Sequence, residues 1–157
     1  MVVLRHVAVP IANDDDVAET ATALDPYLDE IHRVTGIHVI ETRPGAVNKA
    51  PLEKRRADAE RFLAAFESRL AGRVGADTRI VFGADIAEMI AETADEVGAT
   101  AIAFRSRGSG RLARLLSGNT TARLVTDPDL PVLSLGEGQR RLGESAPRRK
   151  RPDVEGT

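Results

Sequence analysis

The residues best suited to bind an anion follow the fourth of five predicted strands, in a segment rich in glycine, serine and arginine. Gly108 and Gly118 lie ten residues apart, and glycine lets backbone N–H groups approach an anion closely. Asn119 is placed to cap a short helix from Thr120, whose N-terminus favours negative charge. Arg105 adds positive charge just before the segment. The pattern therefore indicates a phosphate site, although glycines between a strand and a helix also serve simple turns.

Alternating strands and helices form the predicted scaffold that must hold this segment. Apolar runs predict five strands, at residues 6–11, 34–41, 78–82, 100–104 and 131–135. The segments between these strands have apolar residues at helical spacing. Such an alternation of strands and helices is typical of a parallel sheet with helices on both faces. Ligands of such sheets bind beyond the carboxyl ends of the strands, where the strand order reverses. We therefore expect the site after the first and fourth strands.

Three predicted helices have recognisable limits or apolar faces. Apolar spacing predicts the first from Val17 to Ile31, and Pro26 should kink or restart it. Asp85 is the expected cap of the third helix, which Gly98 ends. The second helix covers 51–70 and is expected to bury Leu52, Ala59, Leu63, Phe66 and Leu70.

The whole ordered pattern resembles the universal stress protein family over roughly residues 5–136. That family carries a glycine, two residues, a second glycine, nine residues, and a third glycine followed by serine or threonine. Gly108, nine residues and Gly118 match this spacing, and residues 127–132 fit the approach to the last strand. The resemblance implies a single-domain, Rossmann-like α/β fold over residues 1–136. Its open five-stranded parallel sheet would have strand order 3-2-1-4-5, and a polar tail at 137–157 is expected to be disordered.

The resemblance also implies a ligand, an adenine nucleotide such as ATP or AMP at the carboxyl ends of strands one and four. The base would lie near Ile11 and the end of the second strand, from Val39 to Glu41. The phosphates would lie near Gly108, Gly118, Asn119 and Thr120. Slow nucleotide hydrolysis is the most we expect of this site, because no general base is identifiable.

Two positions depart from the family pattern and keep a second hypothesis open. Arg105 stands where the motif has its first glycine, and Ala12 stands where nucleotide-binding members usually carry an aspartate. Arg105 either fills space that a phosphate needs, which we favour, or pairs with that phosphate. Asn119 replaces the serine or threonine of the motif, with Thr120 directly after it. The alternative function is a dimeric interaction module of the same fold that has lost the nucleotide and docks on another protein.

The last predicted strand suggests a homodimer. It runs from Pro131 to Leu135 and, by resemblance, lies at the edge of the sheet. An edge strand presents unpaired N–H and C=O groups, and no charged side chain guards this one. Two copies related by a two-fold axis are expected to pair antiparallel.

Composition and the remaining motifs narrow the other classes of function. A net charge of −2 gives no strongly basic face, so we expect no nucleic acid partner. There is no cysteine, no run near the ~20 apolar residues of a membrane span, and no signal-type start, so a cytoplasmic location is expected. His6, His32 and His38 lack the tight spacing of a metal site. Neither a Walker A pattern nor a Gly-x-Ser-x-Gly elbow occurs.

Overall fold

The structure, a computed structural model, describes residues 4–42, 50–105 and 130–135. Its strands form one five-stranded parallel sheet in the order β3-β2-β1-β4-β5. The elements are β1 His6–Pro10, α1 Asp14–Leu24, a 3₁₀ turn Asp25–Tyr27, β2 Arg33–Glu41, α2 Leu52–Leu70, β3 Gly75–Gly83, α3 Ile86–Glu96, β4 Ala101–Arg105 and β5 Val132–Leu135. The predicted α/β fold and strand order are confirmed. The predicted tail at 137–157 lies outside the described residues.

Helices cover both faces of the sheet, and each face has its own apolar core. Alternate residues of a strand point to opposite faces, so Val7 packs with the residues of α1 and α2 while Ala8 packs with those of α3. The α1 face also holds Ala103 of β4, whereas its neighbour Ile102 belongs to the α3 face. Arg105 shares the parity of Ala103, which directs its side chain toward α1.

Close packing of α2 on β2 depends on a glycine. A Cβ atom added at Gly36 would lie 3.0 Å from the ring of Phe66, closer than a side chain normally approaches. Phe66 and Leu63 are fully buried or nearly so. This close approach allows α2 to pack directly on β2, beside β3.

The caps of α1 and α3 follow the expected rules. The side chain of Asp85 accepts a hydrogen bond from the backbone N–H of Glu88 at 3.1 Å, which confirms it as the N-cap of α3. Asn13 accepts in the same way from the N–H of Asp16, also at 3.1 Å. Gly98, with φ of +78°, follows the end of α3.

Three element limits or burials differ from the prediction. α1 ends at Leu24, and Pro26, which has no N–H to continue the helical hydrogen bonds, lies in the separate 3₁₀ turn, so the helix stops before the proline instead of continuing to Ile31. Leu52 is 51% exposed because it is the first residue of α2, before the buried stripe that begins at Ala59. β3 begins at Gly75, three residues earlier than predicted, because it pairs with the whole of β2.

Candidate functional site at the carboxyl edge of the sheet

The strand order reverses between β1 and β4, and four predicted site residues lie at that place. The ladder pairs Pro10 with Ile37 and Ala8 with Ile102. Continuing the register by three residues or fewer makes Ile11 level with Arg105, and Ala12 level with Val39. We call the ends of β1, β2 and β4 with these four residues the carboxyl edge.

The backbone of Ile11 is held by hydrogen bonds at both its N–H group and its carbonyl oxygen. Its N–H donates to the carbonyl of Ile37 at 2.8 Å, and its carbonyl oxygen lies 2.7 Å from Nδ1 of His38. The imidazole of His38 also meets the ring of Phe62 edge to face, with centroids 4.9 Å apart. Burial lowers the pKa of His38. The hydrogen bond to Ile11 opposes this shift, and the charge of Arg55 adds to it. A neutral ring with its proton on Nδ1 fits these contacts.

Ala12 and Val39 lie on the opposite face from Ile11. Both are partly buried and pack against the core of the α3 face, whereas Ile11 belongs to the core of the α1 face. The residues predicted near the base therefore lie on both faces of the sheet, at its carboxyl edge.

Arg105 is the most unusual residue of the carboxyl edge, because its guanidinium is 8% exposed and held by two carboxylates of α1. It forms an ion pair with Glu19, and its Nη2 lies 3.6 Å from Oδ1 of Asp16. Glu19 is 44% exposed, whereas Asp16 is fully buried. One positive and two negative charges leave the group at −1. The arginine thus ties the end of β4 to α1.

Asp16 connects this group to β1. Its other oxygen, Oδ2, accepts a hydrogen bond from the N–H of Ala12 at 3.0 Å. Burial raises the pKa of Asp16, while the bond from Ala12 and the charge of Arg105 oppose that rise. The carboxylate therefore holds the loop after β1 and the end of β4 at the same time.

Unused hydrogen-bonding capacity remains beside these ion pairs. In the described part of the chain, Oδ1 of Asp16, Nε of Arg105 and Oγ1 of Thr20 are buried and make no hydrogen bond. Thr20 follows Asp16 by one turn of α1. Buried polar groups are normally paired, so this spot can accept a further polar group.

Comparisons with known proteins decide the family. Residues 4–135 match the Universal stress protein family, which is most of the chain. The protein belongs to this family. No match was found among curated protein sequences.

Solved structures of universal stress proteins share the fold at low sequence identity. A protein of this family from Burkholderia pseudomallei is 24% identical with a TM-score of 0.60, covering 84% of this chain and 96% of that one. The universal stress protein of Archaeoglobus fulgidus in complex with dAMP is 17% identical, TM-score 0.57, covering 86% and 99%. An Arabidopsis thaliana family member with AMP bound is 17% identical, TM-score 0.55, covering 90% and 96%.

The predicted phosphate half of this universal stress protein site lies outside the described residues. Gly108, Gly118, Asn119 and Thr120 all fall between residues 105 and 130. The structure therefore brings together Ile11, Ala12, Val39 and Arg105, and the phosphate contacts stay a prediction.

Three residues of the carboxyl edge were not predicted as site residues. Asp16 lies three residues after the N-cap Asn13, a position from which a side chain can reach back to the preceding backbone. The sequence gives no comparable signal for Glu19, since its partner Arg105 is 86 positions away. His38 packs against Phe62, and its hydrogen bond to Ile11 is not readable from sequence spacing.

The described residues contain neither a metal-binding cluster nor a membrane-spanning helix. In residues 4–42, 50–105 and 130–135, no three histidine, cysteine or carboxylate side chains cluster in a way that could hold a metal ion. No helix in those ranges has the length and apolar character needed to cross a bilayer.

Proposed function

We propose that the protein is a cytoplasmic stress-response protein that binds an adenine nucleotide, AMP or ATP, at the carboxyl edge. The observation that carries the proposal is the reversal of strand order between β1 and β4, where Ile11, Ala12 and Arg105 converge. Ligands of open α/β sheets bind at such a reversal. Neighbours of the same fold with dAMP or AMP bound support the choice of ligand.

Isothermal titration with AMP, ADP and ATP tests the proposal. We expect saturable binding at micromolar to millimolar concentration in the unmodified protein. Gly118→Val should abolish binding, because its side chain occupies the space predicted for a phosphate. Gly143→Val, the same change in the predicted tail, is the matched control and should bind normally. No heat with any nucleotide, or unchanged affinity in a folded Gly118→Val variant, would contradict the proposed site.

A second candidate function is supported by the charge of the carboxyl edge. Arg105 is already neutralised by two carboxylates, and the group it forms with Glu19 and Asp16 carries a net −1. Such a group disfavours a polyanion. A family member that binds no nucleotide would act by docking on a protein partner. Mass spectrometry of material released from the denatured purified protein separates the two functions: a released adenine nucleotide supports the first.

We also propose that the protein forms a homodimer through β5. This strand ends the sheet order. The N–H of Ile102 donates to the carbonyl of Pro131 at 2.9 Å, and Ile102 is the register partner of Val132. In a parallel ladder with this pattern, Leu133 turns its N–H toward β4. The N–H groups of Val132 and Ser134 are therefore on the outer side, where a second strand can pair.

The outer donors suggest a sharp test of the dimer. Ser134→Pro removes an outer N–H and leaves the ladder to β4 intact, so we expect a folded monomer. Ser134→Ala keeps the N–H and should remain a dimer. Light scattering at tens of micromolar protein measures both. An unmodified protein that is monomeric under these conditions contradicts the proposed interface.

A further inference from the structure

A half-enclosed cavity of about 350 Å³ lies on the α1 face of the sheet, between the C-terminal end of α1 and β5, and it extends to Leu135, the register partner of Arg105. Its walls come from four elements and the 3₁₀ turn. They include Val7 of β1, Leu24 of α1, Tyr27 of the turn, Ala103 of β4 and Leu133 of β5. None of these is a residue of the proposed nucleotide site.

The cavity has a cause in the sequence. Pro26 follows α1, which ends at Leu24, and the chain turns away through the 3₁₀ turn instead of covering the strands for another two turns. The strand that forms the floor of the cavity also leaves space, because Ala103 is small and its large neighbours Ile102 and Phe104 point to the opposite face. A short helix above a small side chain leaves the space unfilled.

The lining selects a neutral, mostly apolar ligand. Among the described residues, no side chain that lines the cavity is charged. A charged ligand would lose hydration here without a compensating partner, whereas apolar surface gains by leaving water. The volume lies in the range of small-molecule sites, about 300–1,000 Å³. One side-chain hydroxyl is available, that of Tyr27, which is 41% exposed. The side chain of Ser134 shares the parity of Val132 and therefore points to the α3 face.

We propose that this cavity binds a small neutral apolar molecule carrying one hydroxyl or carbonyl group that meets the hydroxyl of Tyr27. The proposal is independent of the nucleotide site. A second copy of the chain is a poorer fit as the occupant, because strand pairing at β5 extends the sheet in its plane while the cavity opens on its face. The ligand enters beneath α1 and leaves the outer edge of β5 available.

The test uses the full chain and the neutral fluorophore N-phenylnaphthylamine, with decanol and decanoate as competitors of equal chain length. We expect saturable fluorescence enhancement with one fluorophore per chain. Decanol should displace it at a concentration at least about tenfold below that of decanoate, which corresponds to 1.4 kcal/mol. Equal competition by the two would overturn the neutral-ligand proposal, as would fluorescence that never saturates.

A pair of identical substitutions locates the binding. Ala103→Leu adds three carbons to the floor of the cavity and should weaken fluorophore binding at least about tenfold. Ala91→Leu adds the same carbons on α3, against the core of the opposite face, and should not. Tyr27→Ala, at an exposed position, removes one wall and serves if Ala103→Leu does not fold. Unchanged binding in the folded cavity variants would overturn the location. Binding that tracks the dimer population in light scattering would assign the cavity to a second copy.

Discussion

The two ends of α1 meet β1 and β4 in opposite chemical surroundings. At its N-terminal end, Asp16 and Glu19 hold Arg105, and Asp16 also binds the N–H of Ala12. At its C-terminal end, Leu24 faces an apolar cavity that includes Ala103. One helix thus anchors a charged group at the carboxyl edge and leaves a space at the other end.

The two ends of α1, which we call the polar end (N-terminal) and the apolar end (C-terminal), place different demands on the sequence. A buried charge needs a partner at a defined distance, so the polar end has few workable arrangements. Apolar contacts have no required direction, and apolar side chains of similar volume replace one another at a cost usually below about 1.5 kcal/mol. The polar end is therefore expected to be sensitive to single substitutions, and the apolar end to be tolerant of them.

The largest effect should follow from removing Asp16. In Asp16→Ala the buried guanidinium of Arg105 keeps only Glu19, and the N–H of Ala12 loses its acceptor. Breaking a buried ion pair and a hydrogen bond should lower the free energy of unfolding by about 3 kcal/mol. Urea denaturation followed by circular dichroism measures the change.

The neighbouring Asp15 provides the matched control. It is exposed in the same first turn of α1, so Asp15→Ala removes only a favourable interaction with the helix dipole. Its cost should stay below about 1 kcal/mol. Equal losses in the two variants would show that the polar end is no more specific than the surface.

Sequence reasoning predicted the parts of the molecule that depend on local patterns. The strand order was implied only by the family resemblance. The alternation of strands and helices predicted the parallel sheet, and the position of Asp85 before an apolar helix predicted the cap. These features need only neighbouring residues, because period and capping are local properties.

The sequence could not predict features that depend on distant pairs. The partners of Arg105 lie on α1, so its role was left between obstruction and phosphate contact. The cavity depends on where α1 ends and on the size of Ala103, which meet only after folding. The early end of α1 was readable in principle, since Pro26 has no N–H with which to continue the helical hydrogen bonds.

A moderate change in AMP affinity should show whether Arg105 obstructs the nucleotide site or supports binding there. Arg105→Gly leaves Asp16 and Glu19 without their cation, so the group changes from −1 to −2. Since its described partners are on α1, we expect this charge change to weaken AMP binding about three- to tenfold. Obstruction predicts the opposite, a gain in affinity. Isothermal titration decides the sign.

Two further arginine variants control this experiment. Arg105→Lys keeps the charge and should bind AMP within about threefold of the unmodified protein. Arg79→Gly makes the same substitution on β3, at the opposite side of the sheet, and should leave AMP binding unchanged. A gain in affinity confined to Arg105→Gly would establish obstruction.

The smallest expected effect is a pH dependence of stability that arises from two histidines, His38 at the carboxyl edge and His6 at the start of β1. Burial lowers the pKa of His38, so the folded protein resists protonation that the unfolded chain accepts. His6 behaves alike: burial, and then the charge of Arg33, lowers its pKa. Where the unfolded state binds more protons, stability falls as pH falls. The free energy of unfolding should therefore decline as pH drops from above 6.5, the ordinary pKa of histidine, toward the lower pKa values of the two histidines in the folded protein.

Substitutions at the two histidines should flatten this decline. His38→Gln can still donate to the carbonyl of Ile11 but has no titrating group, and His6→Gln removes the second contribution. Asp16 acts in the opposite direction, because burial raises its pKa and its contribution grows as pH falls. The slopes of urea-derived stability against pH are therefore compared between variants. A double variant with the slope of the unmodified protein would show that neither histidine is responsible, whereas a flattened slope in His38→Gln alone would place the pH response at the carboxyl edge.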